Sequence, residues 1–160
     1  MRFKLLDRII KLEPGQRIVA CKLLDPDTDY LKDHFPRFPV MPGVLMLEAM
    51  YQASAWLIRY TDNFEHSVVL LKEARNVKYY DFVAPGNELE VTAEITKQEG
   101  LVTTLKTQGT IGGKMAVNGR LVLEASTLGA QSPARSGSDP FLKQAMRHQF
   151  ALLAAAGEAT

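Results

Sequence analysis

The chain has 160 residues, the size of one ordinary domain with a single hydrophobic core. Its 19 basic and 18 acidic side chains nearly balance, so net charge supports neither a nucleic-acid-binding protein nor attachment to an anionic membrane. The lone cysteine, Cys21, cannot form an intramolecular disulfide, which favours a small core residue in a reducing, cytoplasmic setting.

The first predicted elements are two paired strands. Branched apolar residues alternate with charges in residues 1 to 12 and again in residues 16 to 24, and Pro14-Gly15 between them is typical of a turn. Charges interrupt every short apolar stretch at the N-terminus, so we expect no signal peptide. Residues 25 to 42 contain four prolines, which disrupt helices and central strands, and are predicted to form a loop.

Residues 43 to 60 are predicted to form one long helix. Strong helix formers follow Pro42 without a break, and almost all of their side chains are apolar, which indicates a helix surrounded by other structure. The stretch is too short and carries too many polar groups for a membrane span. Glu48, Gln52 and Arg59 lie four and seven positions apart, so they share one stripe of this helix.

Further strands follow the helix, separated by turns at Pro85-Gly86 and Gly100. Either Gly112-Gly113 or Asn118-Gly119 can form the last hairpin turn; we expect Asn118-Gly119 to do so and the glycine pair to be a bulge. This order of elements predicts an α+β fold in which a curved antiparallel sheet wraps around one long central helix. The predicted strands cover residues 68 to 71, 77 to 83, 89 to 96, 101 to 111 and 121 to 127.

The C-terminal part is predicted to be an extra helix. Residues 1 to 130 form the main domain, the polar residues 131 to 138 a linker, and residues 139 to 160 a helical extension of the same domain. Asp139-Pro140 is a favourable N-cap and first-position pair. We expect the apolar face to dock onto the fold or against another subunit. Its predicted members are Phe141, Leu142, Ala145, Met146, Gln149, Phe150 and Leu153.

Two side chains are candidates for acid and base chemistry. His34 lies in the proline-rich loop, although a loop histidine alone is more often a surface or hydrogen-bonded residue. Glu48 lies on an apolar helix, where a buried carboxylate needs a partner, so it either reaches a surface or is held for chemistry. At the helix start, Pro42-Gly43 leaves free backbone N–H groups that attract negative charge. Such a base, acid and oxyanion donor together can remove a proton next to a carbonyl.

At these positions the chain resembles the 3-hydroxyacyl-[acyl-carrier-protein] dehydratases of type II fatty acid synthesis, the FabZ/FabA-like family with a hot-dog fold. Further similarity lies in the turns and the closing strand, so the likeness covers about residues 5 to 128. The matching residues are His34-Phe35-Pro36, Pro39, Pro42-Gly43-Val44-Leu45, Glu48-Ala49, Gln52, Pro85-Gly86, Asn118-Gly119-Arg120 and Glu124-Ala125.

The resemblance implies roles for these residues. His34 would take the C2 proton of a (3R)-3-hydroxyacyl thioester while Glu48 assists departure of the 3-hydroxyl, leaving a trans-2-enoyl thioester. The amide of Gly43 would polarise the thioester carbonyl, and Gln52 would either orient Glu48 or have a purely structural role beside it. For Tyr79 and Tyr80, near the family's tunnel gate, cross-strand packing is the competing interpretation. The implied substrate-binding residues are Phe35, Gly43, Val44, Gln52, Tyr79 and Tyr80.

The resemblance also implies partners. These are an acyl carrier protein bearing the 3-hydroxyacyl chain, and a second copy of the chain in a homodimer that shares its active sites, with a trimer of dimers as a further option. His34 and Glu48 of one site would then come from different subunits. We expect no cofactor, metal, nucleic acid or membrane span, because the sequence contains no metal-ligand cluster or nucleotide-binding loop.

Three residues depart from the family pattern, and other functions on this fold remain open. Asp33 and Arg37 stand where glycine is common, and Tyr51 replaces a small helix residue, which predicts a narrower acyl tunnel and a specialised substrate. The alternatives are an acyl thioesterase, a non-catalytic subunit that binds an acyl carrier or acyl chain, and isomerisation of the enoyl product.

Overall fold

In the part of the chain that the structure describes, six antiparallel strands form one sheet, and a long helix packs against one of its faces. The structure is a computed structural model that describes residues 4 to 28, 30 to 33, 37 and 39 to 158; within these ranges the side chains of residues 32, 33 and 131 are not described. The strands are β1 (Arg8–Glu13), β2 (Arg17–Leu23), β3 (Val68–Tyr79), β4 (Glu88–Glu99), β5 (Val102–Ile111) and β6 (Lys114–Ser126). The helices are α1 (Tyr30–Asp33), α2 (Gly43–Thr61), α3 (Leu128–Gln131) and α4 (Asp139–Glu158), with a 3-10 helix at Pro133–Ser138.

The sheet curves around α2, which confirms the predicted hot-dog arrangement. The strand order is β1-β2-β4-β5-β6-β3, and α2 contacts every strand except β1 closely. Met50 and Leu57 of α2 are fully buried and join one hydrophobic core with Leu89, Leu105 and Leu121 of the sheet. Burial of these side chains is the main force that holds helix and sheet together.

Strand β3 is continuous, whereas the sequence predicts two separate strands with a break near residues 72 to 76. The pairing of β3 with β6 shifts register between Leu71 and Glu73 and again between Arg75 and Lys78, where Asn76 has a positive φ of 53°. These irregularities accommodate extra residues without ending the strand. Because β3 lies at the edge of the sheet, its charged side chains remain exposed and no apolar alternation marks the strand.

The last hairpin turns at Gly112-Gly113, so the prediction that Asn118-Gly119 forms this turn is wrong. Both glycines have positive φ, 56° and 84°, and Ile111 and Lys114 on either side are paired. Two consecutive positive φ values are typical of the tight turn that joins antiparallel strands. Gly119 instead lies within β6, where a Cβ would come within 3.0 Å of Val77 Cγ2. Gly119 therefore permits the close approach of the bulged strand β3.

The proline-rich loop begins and ends at fixed points. The short helix α1 interrupts it, which the sequence does not predict, and Thr28 donates a backbone hydrogen bond to Asp25 just before that helix. At its other end the N–H of Met41 donates to the carbonyl of Val83, at 2.9 Å, and the Met41 side chain is fully buried. The loop is thus joined to the core immediately before α2.

Helix α4 begins at Asp139, as predicted, but the preceding segment contains a 3-10 helix. Asp139 does not cap α4: its carboxylate accepts the Leu128 and Gly129 N–H groups, at 2.7 and 3.1 Å, and the hydroxyl of Ser67. Two residues of the predicted apolar face are misplaced, because Phe141 is 75% exposed and Ala145 is also exposed. The core contacts of α4 come from Met146, Phe150 and Leu153.

Cys21 lies in β2 and is fully buried, which confirms its prediction as a core residue. Burial raises the pKa of its thiol to about 11, so the thiol keeps its proton at neutral pH. Among the helices of the described ranges, none combines the length and apolar character that a bilayer crossing requires.

Candidate active site

Glu48 lies on the second turn of α2 and opens onto a cleft of about 290 Å³. Its side chain is half-buried, so the carboxylate is neither enclosed in the apolar core nor fully solvated. Gln52 and Arg59 line the same cleft, which confirms that the three polar residues share one stripe of the helix. The lining residues are Lys4, Glu48, Tyr51, Gln52, Ala55, Trp56, Arg59, Met146 and Gln149.

Gln52 is hydrogen-bonded to the carboxylate of Glu48. Its Nε2 donates to Glu48 Oε1 at 3.2 Å, and its Oε1 accepts the backbone N–H of Leu5 at 3.0 Å. Since the Leu5 N–H can only donate, it fixes which end of the amide faces Glu48. The Gln52 side chain therefore also connects α2 to the N-terminal segment; its role in orienting Glu48 stays a prediction.

Tyr51 and Arg59 are further polar residues of α2 that line the same cleft. The Tyr51 hydroxyl donates to the carbonyl oxygen of Val69 in β3, and burial raises the pKa of Tyr51. Burial lowers the pKa of Arg59, whose guanidinium lies 4.9 Å from the ring centre of Trp56. Its Nε has no hydrogen-bond partner among the described residues. The cleft thus holds a carboxylate at one end and a largely desolvated cation at the other.

The start of α2 offers backbone donors. The carbonyl of Pro42 accepts the N–H groups of Leu45 and Met46, at 2.9 and 3.3 Å. The N–H groups of Gly43 and Val44 belong to the first turn, which a helix leaves without partners of its own. The Val44 side chain is 67% exposed. This geometry suits an oxyanion or a carbonyl oxygen placed at the helix start.

Tyr79 and Tyr80 lie in different places. A Cβ on Gly43 would come within 3.1 Å of Tyr79 Cε1, so the glycine lets this ring pack against the start of α2. Burial raises the pKa of Tyr79. Tyr80 is 55% exposed and lines a separate cleft of about 310 Å³, where its hydroxyl donates to Asn118 Oδ1 at 3.4 Å. Among the described candidate residues, Tyr79 lies next to Gly43, whereas Tyr80 faces the separate cleft.

The predicted base, His34, and Phe35 lie outside the described residues, so their distances to Glu48 stay predictions. Sequence reasoning named Met146 and Gln149 only as residues of a docking face and did not place them beside Glu48. Nor did it include Lys4 in the site. Within the described ranges, no group of three or more histidine, cysteine, aspartate or glutamate side chains is arranged to hold a metal ion.

The long helix wrapped by a curved antiparallel sheet defines the class as hot-dog proteins. Residues 1–126 match the FabA-like domain, so the chain belongs to the FabA-like family.

Curated relatives of similar length share this region. A protein of Clostridium kluyveri named 3-hydroxyacyl-[acyl-carrier-protein] dehydratase FabZ is 36% identical over 120 residues, covering 75% of this chain and 83% of the relative. A Ruminiclostridium cellulolyticum protein of the same name is 33% identical, covering 74% and 84%.

Solved structures support the fold. One is the dehydratase heterocomplex ApeI:P of Xenorhabdus doucetiae, with a TM-score of 0.67 and 18% identity over 81% of this chain and 88% of that one. A Streptococcus mutans protein bound to acetyl CoA has a TM-score of 0.61 and 9% identity, covering 79% and 94%. At such identities the likeness concerns the fold alone.

Proposed function

We propose that this protein is a 3-hydroxyacyl-[acyl-carrier-protein] dehydratase of fatty acid or related lipid biosynthesis. The observation that carries the proposal is the Glu48 carboxylate, which accepts a hydrogen bond from Gln52 at the cleft wall and lies on the second turn of α2. The family model and the dehydratase relatives, which share the Glu48 region, support the same reaction.

The proposed reaction removes water across C2 and C3 of the acyl group. His34 takes the C2 proton, the C2–H electrons form the C2–C3 double bond, and the 3-hydroxyl leaves as water with a proton supplied at Glu48. The Gly43 amide donates to the thioester oxygen, on which negative charge develops. The product is a trans-2-enoyl thioester on the same carrier. His34 gains one proton and Glu48 loses one, so proton transfer from His34 to Glu48 through solvent restores both groups, and no oxidant is needed.

The proposed partners are an acyl carrier protein and a second copy of the chain. Strand β3 pairs with β6 along one side, and its other side is a free edge of the described sheet. Leu70 and Leu71 on this edge strand are exposed, at 46% and 37%. A long free edge with exposed apolar side chains is a template for pairing with another strand. This edge supports the homodimer in which His34 and Glu48 complete one site from two subunits. The buried free thiol of Cys21 supports a reducing, cytoplasmic location.

The direct test is to incubate the purified protein with a 3-hydroxyacyl thioester on acyl carrier protein and to follow enoyl absorbance and free thiol together. We expect enoyl product without thiol release. We expect His34→Ala and Glu48→Gln each to lower the rate by about 10²- to 10⁴-fold, because each removes one proton-transfer group.

Circular dichroism and the oligomeric state of both variants provide the control for folding. Thiol release without enoyl product would identify a thioesterase instead, and binding of the acylated carrier without turnover would identify a non-catalytic subunit. A shift of the double bond after its formation would reveal isomerisation as an additional activity.

A further inference from the structure

We propose that helix α4 forms the specificity wall of the active site, and that Met146 on this helix limits the length of the acyl chain that the site accepts. This inference rests on the proposed dehydration, because it assumes that the acyl group lies beside Glu48. It assigns a role to a segment that the family match, which ends at residue 126, does not include.

Helix α4 forms part of the lining of the cleft that contains Glu48. Met146 and Gln149, which lie on one face of α4, line this cleft together with Glu48 and Gln52 of α2. The cleft is therefore lined both by the helix that carries the proposed catalytic carboxylate and by the C-terminal helix. A chain bound with its C3 hydroxyl at Glu48 would extend into the space that Met146 borders.

Helix α4 is anchored at its start and in its middle. At the start, the Asp139 carboxylate binds the first turn of α3 and the Ser67 hydroxyl. In the middle, the Phe150 ring lies 5.0 Å from that of Tyr60 and 5.6 Å from that of Phe64.

Next to Phe150, the Arg147 guanidinium donates to the carbonyl of Asn63 at 2.7 Å and covers the Phe64 ring at 4.9 Å. At the far end, α4 packs so closely on β1 that a Cβ on Gly157 would overlap the carbonyl oxygen of Ile9. Met146 and Gln149 lie between these anchors. Helix α4 is therefore held in a fixed position beside the cleft by contacts on both sides of Met146 and Gln149.

The cleft extends along α2. Its α2 side runs along successive turns from Glu48 past Ala55 to Arg59, which is about 16 Å along the helix axis. A thioether side chain over this path is apolar and adaptable, so it can contact a chain of suitable length and obstruct a longer one. Truncating the Met146 side chain enlarges the cleft, whereas a bulkier side chain at this position makes the cleft smaller.

The test compares kcat/KM for 3-hydroxybutyryl and 3-hydroxypalmitoyl thioesters of acyl carrier protein. We expect Met146→Ala to raise the palmitoyl-to-butyryl ratio on the order of 10-fold, the range by which a pocket distinguishes chains that differ by one or a few methylenes. We expect Met146→Trp to lower the same ratio. The matched control is Leu152→Ala on the same helix, because Leu152 is 59% exposed and does not line the cleft.

The outcomes separate this inference from the proposed function. If the wild-type protein dehydrates these substrates but both Met146 variants keep the wild-type palmitoyl-to-butyryl ratio, Met146 does not limit chain length. The proposed dehydratase function is unaffected by that result. If the wild-type protein dehydrates no 3-hydroxyacyl thioester, the proposed function fails and the inference fails with it. Misfolding lowers both rates together and leaves their ratio unchanged, so a shifted ratio in Met146→Ala alone supports the wall even where Met146→Trp does not fold.

Discussion

At the scale of single residues, Gln52 connects two described parts of the chain. It donates to Glu48 and accepts from the Leu5 backbone, so it links the proposed acid to the N-terminal segment. In Gln52→Ala we expect kcat to fall about 10-fold with little change in KM, because Glu48 loses its orientation while the cleft stays open. Steady-state kinetics on a 3-hydroxyacyl thioester measures both constants.

Ser54→Ala is the matched control for Gln52. Ser54 lies on the same helix, is fully buried and donates to the Met50 carbonyl at 2.8 Å, but it does not line the cleft. Ser54→Ala loses one hydrogen bond, worth about 1 kcal/mol, and Gln52→Ala loses two, worth about 2 kcal/mol, so both changes lower stability. An equal fall of kcat in both variants would mean that Gln52 acts only through stability and not by positioning Glu48.

At the scale of elements, the contact of α4 with β1 depends on the absence of a side chain at Gly157. A methyl group there would overlap the Ile9 carbonyl, so the end of the helix or the strand must move. We expect Gly157→Ala to weaken the docking of α4 by about 1–3 kcal/mol, the usual effect of overpacking. Weaker docking would expose α4 to protease, so we expect trypsin to cleave after Arg147 faster in the variant than in the wild-type protein.

Gly137→Ala is the control for this contact, because no atom lies within 4 Å of a Cβ placed there. It changes the same residue type in the segment just before α4 and leaves the β1 contact intact. Similar cleavage rates in the two variants would show that α4 does not depend on this close approach.

How far the sequence predicts these elements depends on whether local pattern or tertiary contact decides them. Helix α2 and the shared stripe of Glu48 and Gln52 follow from helical periodicity, and the structure contains both. The turn at Gly112-Gly113 was mistaken because Asn118-Gly119 is an equally strong local signal; the need for a glycine at 119 comes from Val77 on another strand.

The walls of the cleft were harder to predict than the polar stripe on α2. Spacing along α2 brings Glu48 and Gln52 together, but no local pattern states which face of α4 docks or what it covers. Phe141 suits an apolar face as well as Phe150 does, and only the aromatic partners Tyr60 and Phe64 select the latter. The position of Met146 beside Glu48 is therefore decided by tertiary contacts and not by the local sequence pattern.

At the scale of the whole molecule, the free edge of β3 offers a surface for the dimer in which we expect the active site to be divided between subunits. In a symmetric dimer, each site would take His34 from one copy and Glu48 from the other. Such a division has a consequence that a site within one chain does not have: two inactive variants can restore each other when their subunits exchange.

We expect an equal mixture of His34→Ala and Glu48→Gln, unfolded and refolded together, to regain about a quarter of the wild-type activity. Random pairing makes half of the dimers mixed, and each mixed dimer holds one intact site and one doubly altered site. Each variant refolded alone is the control, and two different affinity tags verify that mixed dimers form. If tagged mixed dimers form and remain as inactive as the separate variants, each site draws both residues from one chain, because only a site shared between subunits gains an unaltered pair on mixing.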